Sequence, residues 1–209
     1  RIAWNTVSVI DPLFTLPILI LIVYAGRQRS AVLARLALAW AIAYPTIGLL
    51  QRDRAEALGW EIARSRDHQP VSLEAKPSFA NLVLWKIVYE TSDDYYVDAV
   101  RVGVSSKVFD GERIPKLDLE RDFPWLDHDS QQAQDIERFR WFSGGYVARD
   151  PHHANRITDI RFSMLPNQIL GLWSIQLSEQ AGVDSHVSYE VSRDTSDAVL
   201  EKFRAMLFE

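Results

Sequence analysis

Apolar residues gather in two long runs near the start of the chain and break into short alternating runs after it. Residues 8–25 (SVIDPLFTLPILILIVYA) carry one charge, Asp11, and residues 31–50 (AVLARLALAWAIAYPTIGLL) carry one, Arg35. Crossing the hydrocarbon core of a bilayer takes about 20 mostly apolar residues, and both runs qualify. Residues 16–24 are apolar all round a helix, whereas a helix lying on a soluble core keeps a polar stripe. The pattern predicts a two-helix transmembrane hairpin with spans at about 8–25 and 31–50; the core helix of a soluble protein is the alternative. The flanks agree with spans: Arg27, Arg29 and Arg35 follow the first, Tyr24 and Tyr44 fall where aromatic rings meet headgroups, and a charged run, 51–54, closes the second. Pro12, Pro17 and Pro45 are tolerated in lipid where neighbouring groups satisfy the carbonyls they free. No small-residue cleavage site follows the first run, so it does not read as a signal peptide.

From Arg52 the pattern changes. Residues 52–66 place Ala55, Leu58 and Ile62 near one helical face with charges around the rest, as a continuation of the second span. Residues 68–77 read as a Pro-bearing polar linker. The remainder, 78–209, has the size of one domain and reads as β-rich. Residues 82–90 (LVLWKIVYE) and 95–104 (YYVDAVRVGV) form a hairpin pattern around Thr91-Ser92-Asp93-Asp94. Further strands are expected at 145–148, 157–164, 172–177 and 187–191, and helices at 130–142 and 195–208. The expected fold class is α+β: a two-helix transmembrane hairpin (1–51), an amphipathic helix and linker (52–77), and a soluble domain (78–209) in which an antiparallel sheet packs against about two helices.

Composition narrows the function. The mean hydropathy of −0.11 averages an apolar first quarter with a polar remainder. A net charge of −5 argues against a nucleic-acid partner, which calls for a basic surface. The chain has no cysteine, which excludes disulfides, thiolate metal sites and a thiol nucleophile. It begins at Arg1 rather than Met, and we read it as a piece of something longer.

Several motifs now become meaningful together. Asp11-Pro12-Leu13-Phe14-Thr15-Leu16-Pro17, preceded by Arg1 and Asn5, resembles the D-P-L-[FY]-T-L-P segment of the bacterial membrane-bound metal-dependent hydrolase family, which includes LexA-regulated inner-membrane proteins. Further along, Pro77-Ser78-Phe79-Ala80-Asn81-Leu82-Val83-Leu84-Trp85-Lys86 resembles the family's entry to its first hairpin. Trp141-Phe142-Ser143-Gly144-Gly145-Tyr146 is similar to its W-F-S-x-G-[YF], and Asp159-Ile160-Arg161-Phe162 to its D-[LI]-R-[FY]. The matches run in the family's order from residue 1 to about 177. The resemblance implies a hydrolase acting on an ester or phosphoester with a divalent metal, such as Zn. The family's P-D-x-D, H-R-G-x-[ST]-H-S and H-x-x-x-D motifs precede the D-P-L segment and are absent here, so most ligands, and the helices that bear them, would lie upstream. The expected partners are those N-terminal helices and the lipid bilayer, and the expected place is a bacterial inner membrane, multi-pass. This piece alone would be inert. A non-catalytic, membrane-tethered binding domain is the alternative function.

Asp11 is the candidate catalytic or metal-linked residue, because a carboxylate at a membrane span usually faces a bundle interior or a site. It would serve as a late ligand or hold a metal-bound His in its tautomer. The competing reading is an N-cap ahead of Pro12. Asn5 and Arg1 are weaker companions.

Other clusters read as structural. Asp150, His152 and His153, and Asp127-His128-Asp129, lack metal-site spacing and read as solvated loops. Ser143-Gly144-Gly145 lacks the elbow and phosphate-loop patterns and reads as a helix-to-strand connection. Asp159 and Arg161 share a strand face and are placed to pair with each other or with a neighbouring strand. Asn81 is placed to bond backbone at the start of the first hairpin, and Trp125, Trp141 and Trp173 are expected on the surface. The basic turn at 26–30 favours a cytoplasmic loop and a periplasmic domain, with Arg52, Arg54, Arg64 and Arg66 pulling the other way.

Overall fold

The structure, a computed structural model, describes residues 5–209; Arg1, one of the residues weighed above, lies outside them. The chain is α+β, with two N-terminal helices and a β-rich region of two antiparallel sheets.

Helix α1 (Pro12–Gln28) ends at Arg29 in the left-handed conformation, and Ser30 then caps α2 (Ala31–Ser65) through Leu33 N–H. The expected second span and amphipathic helix are therefore one continuous helix of 35 residues. The charges after Leu50 change its surroundings but supply no helix breaker, so it continues. Among the described residues α2 is the one helix long and apolar enough to cross a membrane; α1, with 17 residues, is a shorter apolar helix. None of the residues of α1 is buried, and Leu16, Leu19, Ile20, Leu36, Leu38 and Ile42 all lie exposed.

The second half of α2 lies on the first sheet. Ala55, Gly59 and Ala63 recur every four residues, which puts them on one face, and Ala55 and Ala63 are fully buried with Ile62 against Ala75, Trp85, Ile87, Tyr89 and Val100. These small side chains let the helix approach closely. A Cβ at Gly59 would press against Ile87 Cγ2.

The first sheet has the order β1 (Ser72–Pro77), β2 (Leu84–Glu90), β3 (Asp94–Arg101), β4 (Lys107–Pro115), each pair antiparallel. The expected hairpin is β2–β3. The residues expected as a linker instead supply β1, and β4 was not expected at all. β4 is an edge strand of mostly exposed, charged residues (KVFDGERIP), so it carries no burial pattern to read.

A short helix α3 (Leu119–Asp122) and α4 (Gln131–Phe142) lead into a second sheet: β5 (Val147–Arg149), β6 (Arg156–Asp159), β7 (Trp173–Gln176), β8 (Ser188–Val191). All four of its strands were anticipated, at somewhat different lengths, but as part of one sheet. Ile136 and Phe139 of α4 close a core over Val147, Ile157 and Ile175. The final helix, α5 (Asp197–Phe208), sets Met206 against Leu84 and Ala99.

Candidate functional site

Asp11 sits at the start of α1, facing Tyr44 of α2. Its backbone is extended, Pro12 follows as first helical residue, and Oδ1 accepts the N–H of Phe14 at 3.1 Å. Pro12 has no N–H to satisfy and its fixed φ suits a helix start, so the N-cap arises from the local sequence. The other oxygen, Oδ2, accepts the Tyr44 hydroxyl at 2.9 Å, and both side chains are buried. Phe14 and Trp40 flank the Tyr44 ring, with centroids 5.6 and 5.3 Å away. Tyr44, expected at headgroup level, is thus turned inward, because its hydroxyl has a carboxylate to bond.

The segment leading to Asp11 is also fixed. Thr6 backbone packs directly on Gly48 of α2, where a Cβ would overlap the Thr6 carbonyl. The Asn5 amide donates to Glu74 Oε2 at 3.4 Å. Glu74 in turn accepts Lys76 Nζ at 2.6 Å. Burial pushes the Glu74 carboxyl upward, but the Lys76 ammonium and Asn5 outweigh it and hold the group below its ordinary range.

Next to Lys76 in the β1–β2 register is Lys86, almost fully enclosed. Its Nζ donates to Gln168 O at 2.6 Å and to Ser163 Oγ at 2.8 Å. Burial lowers this ammonium to about 7, against the pull of Asp159 and Glu112. Ser163 Oγ itself donates to Leu165 O. The group ties the 163–168 loop to the sheet. Of the two pairings expected for Asp159 and Arg161 the structure has the one with each other, through three side-chain bonds of 2.6, 2.9 and 3.2 Å, although Arg161 lies just past the end of β6.

The remaining clusters behave as loop and turn chemistry. Asp150 accepts the N–H groups of His152 and His153, and Asp127 that of Asp129. Ser143 is wholly enclosed, out of reach of a substrate, and Gly144 and Gly145 turn the chain at φ +61° and +91°. Asn81 Oδ1 accepts Val83 and Leu84 N–H, while Nδ2 donates to Phe79 O. Of the three tryptophans, Trp141 is strongly exposed; Trp125 and Trp173 pack against the α4 core.

One pair escaped sequence reasoning. Buried Asp135 on α4 receives His186 Nδ1 at 2.8 Å, 51 residues away, together with Val187 N–H, Gln131 and Arg138. Only long-range contact brings them together, and the number of donors on Asp135 marks it as the anchor of the 186–187 segment.

Among the described residues no three His, Asp or Glu side chains assemble as a metal site. Asp11 has both oxygens engaged and brings no second ligand with it, so the donor set present does not fit a metal on its own. No family model, curated protein or solved structure matches the chain.

Proposed function

We propose that this chain is the C-terminal part of a bacterial membrane-bound hydrolase for an ester or phosphoester. In this reading α1 and α2 span the inner membrane as a hairpin, and the metal-bearing helices belong to an N-terminal part that packs beside Asp11. The observation that carries the reading is the placement of Asp11. It is a buried carboxylate at the junction of two apolar helices whose outward faces are otherwise bare, and it falls within the D-P-L-F-T-L-P segment that resembles the hydrolase family. The exposed apolar residues along α1 and α2 support the span assignment, since a soluble core helix would bury them. The basic turn after α1 favours its cytoplasmic placement, with the β-rich region in the periplasm.

A second reading has its own observation. Both Asp11 oxygens already serve the cap and Tyr44, which favours a membrane-tethered binding domain with no catalytic role. Elemental analysis of the detergent-purified full-length parent decides between them. About one or two divalent ions per chain, reduced by Asp11→Ala, upholds the hydrolase. A parent without metal overturns it and leaves the tethered domain.

A further inference from the structure

The ends of the first sheet differ in what they show to their surroundings. β2 and β3 run between a turn at 91–93 and an opposite end where two loops meet α2, the β1–β2 loop (78–83) and the β3–β4 loop (102–106). These two loops are fastened to α2 just where its apolar stretch stops. Gln51 Nε2 donates to Leu82 O at 3.2 Å and to Val102 O at 2.9 Å, and Arg54 donates to Gly103 O at 2.9 Å. Residues 31–50 of α2 measure about 30 Å at 1.5 Å per residue, the thickness of a hydrocarbon core. The loops therefore sit at the level where the helix would leave the lipid.

At this level each loop turns an apolar side chain outward. Phe79 is 59 % exposed and Val104 is fully exposed. Neither loop is slack. Asn81 bonds backbone on both sides of the β1–β2 turn, and Ala80 takes φ +55° to make it, an unfavourable conformation for a residue with a Cβ. Val104 stands at the apex of Gly103-Val104-Ser105-Ser106, where a polar residue would be the ordinary choice in water. Arg54 and Lys107 flank the pair, and Arg101 lies at the adjoining strand end. Single exposed apolar residues need no explanation. Two on adjacent, hydrogen-bonded loops at the foot of an apolar helix, with cations beside them, match the composition of a bilayer interface.

We propose that Phe79 and Val104 insert into the headgroup–acyl boundary, so that the first sheet rests on the membrane through its two α2-linked loops, with Arg54, Arg101 and Lys107 facing anionic headgroups. The proposal rests on the reading of α2 as a span. It makes the β-rich region a lipid-facing platform held at fixed height.

The chain has no cysteine, so single nitroxide labels can be placed cleanly at Phe79→Cys, Val104→Cys, Ser92→Cys and Leu38→Cys. Ser92 lies in the opposite turn, about 23 Å away along a seven-residue strand, and Leu38 is exposed within α2. Each protein is reconstituted in phosphatidylcholine–phosphatidylglycerol vesicles, and collisions with oxygen and with a water-soluble nickel chelate are measured. The expected result is an oxygen-to-nickel ratio at 79 and 104 several-fold above that at 92 and below that at 38. A lipid-like ratio at 38 with water-like ratios at 79 and 104 overturns the platform and keeps the span. Low collision with both reagents at 79 and 104 shows protein contact and also overturns it. A water-like ratio at 38 removes the span reading together with the platform.

Discussion

The Tyr44 hydroxyl donates to Asp11 Oδ2 across 2.9 Å, binding the start of α1 to α2 over 33 residues of sequence. Two separate costs attach to it. Tyr44→Phe removes the donor and leaves one buried carboxylate oxygen without it, but keeps the cap on Phe14 N–H, a loss of about 1.5–3 kcal/mol. Asp11→Ala removes the cap and also strands the buried hydroxyl, a loss of about 2–4 kcal/mol. Unfolding in mixed micelles should rank Asp11→Ala below Tyr44→Phe; equal effects would mean the cap contributes nothing.

At the far end of α2, Arg66 forms a two-bond pair with buried Asp98, at 2.6 and 2.9 Å. Asp98 lies where β3 shifts register against β4, and its Oδ1 also accepts Gly111 N–H. The same guanidinium reaches the Tyr89 hydroxyl and Asp110. Its remaining exposure, 30 % of the side chain, places the pair at the lower end of buried ion pairs. Asp98→Ala should destabilise by about 3 kcal/mol, measured by urea unfolding, and should make the 65–68 stretch the first site of limited proteolysis. Unchanged cleavage there would refute the clamp.

Helices α1, α2, α4 and α5 and the β2–β3 hairpin were legible because their signals are local, whereas α3, a single turn of four residues, has no periodicity to read. Unbroken apolarity marked α1 and the first half of α2, and alternation with a turn of Thr, Ser and Asp marked the hairpin. β1 and β4 were not legible. Lys76 looks like a linker residue until Lys86 and Glu74 are beside it, and β4 is held by pairing with β3 rather than by burying a face of its own. Asp11 was found as a carboxylate out of place and as a cap. Tyr44 as its partner was not, since nothing within a window of a few residues distinguishes an inward tyrosine from one at headgroup level.

Lys86 gives a pH dependence of definite sign. Its ammonium is lowered to about 7 in the folded chain, against about 10.4 when unfolded. Below pH 7 both states are protonated and the burial cost is constant. Above it the unfolded state binds more protons, so stability rises with pH toward 10. Tyr95 and Tyr146 are raised by burial and act oppositely once the unfolded phenols ionise near pH 10, so the clean window ends near 9.5. Wild type should gain on the order of 2–3 kcal/mol between pH 7 and 9.5, and Lys86→Met should abolish the rise. A flat wild-type profile from denaturant midpoints would contradict the burial of this amine.

Gly26 and Gly48 both lie inside apolar helices, and the same substitution should move them in opposite directions. Alanine is favoured over glycine in a helix by about 1 kcal/mol. At Gly26 an added Cβ meets nothing within 4 Å, so Gly26→Ala should realise that gain. At Gly48 the Cβ would overlap the backbone carbonyl of Thr6, which cannot swing aside as a flexible side chain does. Relief requires the 5–10 segment to lift from α2, drawing on the Asn5 contact with Glu74 and tilting Asp11 away from Tyr44. Loss of those contacts, about 2 kcal/mol or more by their hydrogen bonds alone, exceeds the propensity gain, so Gly48→Ala should be net destabilising. Unfolding midpoints of the two variants that move the same way would show that the segment before α1 is not seated on α2.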